Sequence, residues 1–180
     1  WVYDNIGGTD VALLTGSPNY PNNPNLKAWL HSANSREVLP GDGRDNYGAR
    51  MRAFFVPPVS GDYFFGINSD DASQLWFNSA GDDFNAMTQI AAEPGCCGPW
   101  QKAGTTFTVT GLTAGQNYAM MMLYKEGGGG DNGQLAVKLA SDPATLNNSL
   151  IINGSELAVL ANPIAGATLG ISIQPASQAT

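Results

Sequence analysis

Tyr63-Phe64-Phe65-Gly66-Ile67-Asn68-Ser69-Asp70-Asp71-Ala72-Ser73-Gln74-Leu75-Trp76-Phe77 holds two runs of aromatic and branched residues around a short polar segment with adjacent carboxylates. Such residues favour strands, so Tyr63 to Ile67 and Gln74 to Phe77 are predicted strands, with Asp70 and Asp71 in the tight connection between them. Successive side chains of a regular strand point to opposite faces, so both carboxylates reach one ion only through a turn or an unusual peptide bond. The plain alternative is a capped turn with two solvated acids.

Outward from this stretch the pattern stays β. Tyr47, Ala49, Met51, Ala53 and Phe55 alternate with Gly48, Arg50, Arg52 and Phe54, which sends one face to a core and leaves both arginines outward or paired with acids. Thr88 to Ala92, Thr105 to Thr110 and Leu135 to Leu139 read as strands. Gln116 to Tyr124 is apolar at nearly every position, as in a strand buried on both faces between packed sheets. Its Met120, Met121 and Met122 alternate across the strand, so they fill a core rather than converge on an ion. Asp10 to Leu14 reads as a strand or edge, and Leu26 to Leu30 as the one short helical turn. Pro18, Pro21 and Pro24 mark a loop. Many short alternating strands with almost no helical periodicity predict an all-β, antiparallel β-sandwich or barrel.

The 180 residues suffice for one domain with a real core plus a tail. Only 13% are charged, against 43% hydrophobic, which excludes a disordered chain. A net charge of -7 with eight scattered Lys and Arg argues against nucleic-acid binding. No apolar run reaches the roughly 18 residues that cross a bilayer, so no membrane insertion is expected. A chain starting at Trp1 with no signal peptide reads as a mature or excised piece. His31 is the sole histidine and has no nucleophile or metal partner near it in sequence, so it reads as a surface residue. Asp42 and Asp45 lack EF-hand spacing and read as solvated turn acids, and the Asp82-Asp83 pair as plain loop.

Cys96 and Cys97 are the only cysteines, set in Pro94-Gly95-Cys96-Cys97-Gly98-Pro99. A vicinal disulfide, free thiols and bridges to another chain all remain open, with flanking glycines supplying the freedom that the first requires. Gly127 to Gly130 is followed by a strand, not by the Lys and helix of a phosphate loop. Such glycines let carbonyls turn towards a cation, and Asp131 or Asn132 adds a hard oxygen.

Tyr47-Gly48-Ala49-Arg50-Met51-Arg52, Ser60-Gly61-Asp62-Tyr63-Phe64-Phe65, Ser69-Asp70-Asp71-Ala72-Ser73-Gln74-Leu75, Leu112-Thr113-Ala114-Gly115-Gln116-Asn117-Tyr118 and Tyr124-Lys125-Glu126-Gly127-Gly128-Gly129 resemble the PA14 domain in order and spacing over about residues 1 to 140. PA14 domains are β-sandwich modules. Some sugar-binding members hold Ca²⁺ between an Asp-Asp pair joined by a cis peptide and a second loop near the domain's end. The resemblance implies Asp70 and Asp71 as that pair, and Asp131 and Asn132, matched by place, as ligands from the second loop. Asp70, Asp71 and Asn132 then face a glycan, with Trp100 as a stacking surface and Trp76 divided between that role and the core. It also implies a non-catalytic, extracellular or cell-surface module. The other reading is a structural or assembly module of a fibre or surface protein, in which residues 141–180, poor in charge, pair with a neighbouring subunit. One histidine and adjacent rather than opposed carboxylates speak against an enzyme.

Overall fold

The computed structural model describes residues 1–159, and these form two antiparallel sheets. In chain order the strands are β1 (Val2–Tyr3), β2 (Tyr47–Phe55), β3 (Gly61–Asp70), β4 (Ser73–Phe77), β5 (Thr88–Glu93), β6 (Thr106–Leu112), β7 (Tyr118–Glu126), β8 (Asn132–Leu139) and β9 (Leu157–Ala158). The larger sheet runs β1-β2-β7-β4-β5, with β9 also on β2, and the smaller runs β6-β3-β8. The all-β, antiparallel sandwich expected from the sequence is therefore the fold.

Period-two alternation decides what lies between the sheets. Tyr47, Ala49 and Phe55 of β2, Leu75 and Phe77 of β4, and Tyr118, Met120, Met122 and Tyr124 of β7 are buried against Tyr63, Phe65 and Ile67 of β3 and Leu135 and Val137 of β8. The ring of Phe55 meets those of Tyr63 and Phe65 edge-on, with centroids 5.2 and 5.1 Å away, a geometry that favours aromatic pairs. β7 is buried on both faces as expected, but its outer cover is not a second sheet. Met121 and Leu123 meet Tyr3, Val11, Leu14 and Ala72 there.

That cover corrects two sequence expectations. Val11–Thr15 is a short helix (α1) rather than a strand: Asp10 accepts a hydrogen bond from the Ala12 amide at 2.8 Å, Gly16 ends the turn, and Val11 and Leu14, three apart, turn inward together. Leu26 to Leu30 holds no helix. Leu26 instead bridges Val2, and Trp29 stands 74% exposed. Of the two alternatives left open for the arginines of β2, the outward one holds for Arg52, which is exposed, and among the described residues neither arginine forms an ion pair with an acid. Arg50 lies 4.4 Å from the Trp1 ring centroid and Arg52 lies 4.0 Å from that of Phe84.

Past Ala140 the chain returns to the sandwich: Leu146 and Ile152 are buried, and β9 pairs with the end of β2. The strand-like piece at Ser149 to Ile152 is a 3-10 turn, Asn148–Leu150, followed by a single bridge from Ile151 to Ala136. Leu160 and the piece at 169–173 lie outside the described residues. Phe55→Ala should cost about 3–5 kcal/mol of unfolding free energy in urea denaturation, since its cavity opens among rings that cannot collapse into it.

Candidate metal and ligand site

Two chain crossings between the sheets lie side by side. β3 ends in the smaller sheet at Asp70, and β4 begins in the larger at Ser73. Going the other way, β7 leaves the larger sheet at Glu126, and the loop 127–131 delivers the chain to β8 in the smaller. Ladder pairs flank the crossings, Asp70 with Asn132 and Ser73 with Tyr124. The Asp71 amide donates to the Lys125 carbonyl at 3.1 Å, and the Lys125 amide to the Ala72 carbonyl at 2.9 Å. The two acidic segments are thus stitched together by backbone.

The Asp70–Asp71 peptide bond is cis. One oxygen from each of Asp70, Asp71 and Glu126 lies within 4.8 Å of the others. Asp71 Oδ2 also accepts the Gly127 amide at 3.0 Å. Glycine gives this loop space: a Cβ on Gly130 would run into the Asp70 carboxylate, and one on Gly127 would press on the Thr9 methyl at 3.0 Å.

Glu126 is the member that sequence reasoning missed. It is fully buried, and among the described residues neither carboxylate oxygen has a hydrogen-bond partner of good geometry; Asp131 Oδ1 is buried and unpartnered in the same way. A buried carboxylate without donors is costly, so such groups are normally paired, protonated or metal-bound. The strand pattern contained a usable signal. Glu126 closes a run buried at almost every position, where a carboxylate is out of place unless something holds it. Burial first, then Asp71, Asp131 and Asp70, push its carboxyl up to about 7. Burial and then Asp71 raise Asp70 as well. Lys125, also fully buried, spends its ammonium on the carbonyls of Gly8 at 2.5 Å and Glu126 at 2.7 Å, and burial lowers its pKa.

The other anticipated residues are distributed around this centre. Asp131 Oδ2 accepts the Arg44 amide at 3.1 Å, while its own amide donates to Asp42 Oδ1 at 3.1 Å. Asp42, read as a solvated turn acid, is therefore part of the scaffold, and it also pairs with Arg36 at 2.5 Å. Asp45 sits 3.5 Å from where a Gly128 Cβ would be. Asn132 turns its amide nitrogen to Asn68 Oδ1 at 3.1 Å. Cys96 and Cys97 are joined as a vicinal disulfide with Cα atoms 3.7 Å apart. The cystine loop is fastened to the end of β3 by Cys97 N to Ser69 O at 3.3 Å and Asn68 Nδ2 to Gly98 O at 2.8 Å. Both sulfurs come within 4.8 Å of an Asp70 oxygen. Trp100, half-buried, donates to Asn148 Oδ1 at 2.8 Å. Trp76 belongs with the apolar cover over β7, its ring nitrogen donating to Gln74. His31 is exposed beside Glu37, away from these acids.

A two-sheet β domain with an acidic centre at the sheet crossings defines a class, and comparison with known proteins places the chain within it. Residues 47–140 match the GLEYA domain model, just over half of the chain, and the protein belongs to the GLEYA domain family. The PA14-like reading of the sequence holds in the fold. Solved structures similar to this chain include an anti-sigma factor domain-containing protein from Clostridium clariflavum, at 21% identity over 96% of this chain and 48% of that one, TM-score 0.52. The A domain of epithelial adhesin 6 from Candida glabrata, in complex with Galb1-3GlcNAc, is 18% identical over 88% of this chain and 64% of that one, TM-score 0.46. A PA14 sugar-binding domain from an RTX adhesin is 17% identical over 63% of this chain and 54% of that one, TM-score 0.44. The chain thus spans about half to two thirds of these structures' lengths. No curated protein sequence matches it.

The raised carboxyls fix a sign. A carboxyl whose folded pKa lies above its unfolded value favours folding while protonated and opposes it once ionised. Without metal, Tm should therefore fall as pH rises from 4.5, the ordinary value, through about 7. Glu126→Gln should flatten that decline in a pH series of thermal melts in chelator.

Proposed function

We propose that this chain is a non-catalytic, calcium-dependent carbohydrate-binding module of a secreted or cell-surface protein. The observation that supports this best is the convergence of Asp70, Asp71 and Glu126 at the sheet crossings, with both Glu126 oxygens buried and without donors. Hard carboxylate oxygens suit Ca²⁺, which takes six to eight oxygen ligands from carboxylates, carbonyls and water together. The orphaned oxygens of Glu126 and the clearance that Gly130 leaves at Asp70 fit such an ion.

Asp70, Asp71 and Glu126 would hold it, with Asp131 from the β7–β8 loop and Asn132 at the start of β8 as further ligands. Bound there, the ion supplies a positive centre whose open positions accept vicinal sugar hydroxyls in place of water. The chain's own groups do the rest. The Gly127 amide orients Asp71, and Asp42, Arg44 and Asn68 hold the β7–β8 loop in place. The cystine loop forms one border of the site beside Asp70. Trp100, secured by Asn148, offers a face for a sugar ring.

Sugar binding by the adhesin domains named above is consistent with this reading. The assembly reading, in which residues 141–180 join a neighbouring subunit, has less support, since residues 141–159 pack on their own sandwich.

Retention on a glycan array should require calcium and vanish in chelator. Asp71→Asn should weaken calcium by at least about tenfold, the lower end of what losing even an outer partner costs a metal site. Retention indifferent to chelator and to this variant would overturn the proposal.

A further inference from the structure

The acidic centre does not account for a second concavity among the described residues. A groove of about 930 Å³ opens along the edge of β2, within the range of about 300–1,000 Å³ usual for small-ligand sites. Its floor is apolar: Met51, Met120, Met122 and Leu135 from the inner strand faces, with Leu157 and Val159 at one side. Methionines suit a pocket that must shape itself to a flexible chain. Trp1 and Trp29, exposed at 40% and 74%, stand at its border.

Charge singles this groove out. Of the chain's 15 Asp and Glu none lines it, whereas Lys27, Arg50 and Arg52 all do. Among the described residues the other basic side chains are engaged: Arg36 with Asp42, Arg44 with Asp4, Lys102 with Glu93, Lys125 and Lys138 with backbone carbonyls. Lys27, Arg50 and Arg52 instead lie over rings that line the groove, at 4.8 and 4.4 Å from Trp1 and 4.0 Å from Phe84. Burial and the neighbouring Arg50 hold Arg52 below the usual arginine range, as expected of two adjacent guanidinium groups with no ion pair among the described residues.

We propose that the groove binds a single-chain anionic amphiphile of the fatty-acid type, its tail among Met51, Met120, Met122 and Leu135 and its anionic head beside Lys27, Arg50 and Arg52. An added strand fits less well. β1 and β9 leave only Met51–Ala53 of the β2 edge between them, shorter than a usual strand of about 5–6 residues. Three cations over an apolar floor are too few for a nucleic acid. The proposal is independent of glycan binding, because no carboxylate of the sheet-crossing site lines the groove.

The test is titration of a fluorescent fatty-acid analogue onto the whole chain, with displacement by oleate and by oleyl alcohol, alongside sedimentation with phosphatidylserine vesicles. One saturable site per chain is expected. Oleate should displace the probe, and the uncharged alcohol should do so about tenfold less well, as the loss of charged hydrogen bonds implies. Arg50→Gln/Arg52→Gln should lose about tenfold in affinity with unchanged circular dichroism, while Arg50→Lys/Arg52→Lys should keep most of it. Absence of saturable binding, equal displacement by acid and alcohol, or association with vesicles alone would each overturn the assignment.

Discussion

The structure depends on a conflict between topology and charge. The two places where the chain passes from one sheet to the other are neighbours, and each delivers carboxylates: Asp70 and Asp71 from one, Glu126 and Asp131 from the other. Backbone bonds between Asp71, Ala72 and Lys125 and the Asp70–Asn132 ladder pair hold the segments together regardless of what the side chains carry. The sandwich needs these crossings, so it cannot relieve the repulsion by moving apart. Mutual repulsion and burial both favour uptake of a proton or a cation there.

The surroundings are consistent with a cation. Lys125 is near enough to the acids to feel them, yet its ammonium is committed to the Gly8 and Glu126 carbonyls, and the Glu126 oxygens stay without donors. Arg36 and Arg44 pair with Asp42 and Asp4 instead. The glycines of the β7–β8 loop keep side chains out of the space that the aspartates occupy. The polar devices of the region hold the acids in position and leave their charge uncompensated.

Much of this was legible from residue order. Period-two alternation in β2 and the unbroken apolar run of β7 foretold which faces are buried, and the Asp70-Asp71 pair at a strand connection pointed to the centre. The rest depended on contacts that sequence does not display. α1 forms because a capping Asp10 and an apolar sheet face outweigh the β-branched start of that segment. Arg50 and Arg52 meet rings supplied by Trp1 and Phe84, which are distant in sequence. The place of Glu126 at the end of an apolar run hinted at burial, but only the crossing geometry shows it facing Asp70 and Asp71.

Diffraction from crystals grown in calcium, with anomalous difference density as the readout, tests the central claim most directly. One peak is expected with carboxylate oxygens of Asp70, Asp71 and Glu126 about 2.3–2.6 Å away. Water alone among those three carboxylates in a calcium-saturated crystal would contradict it.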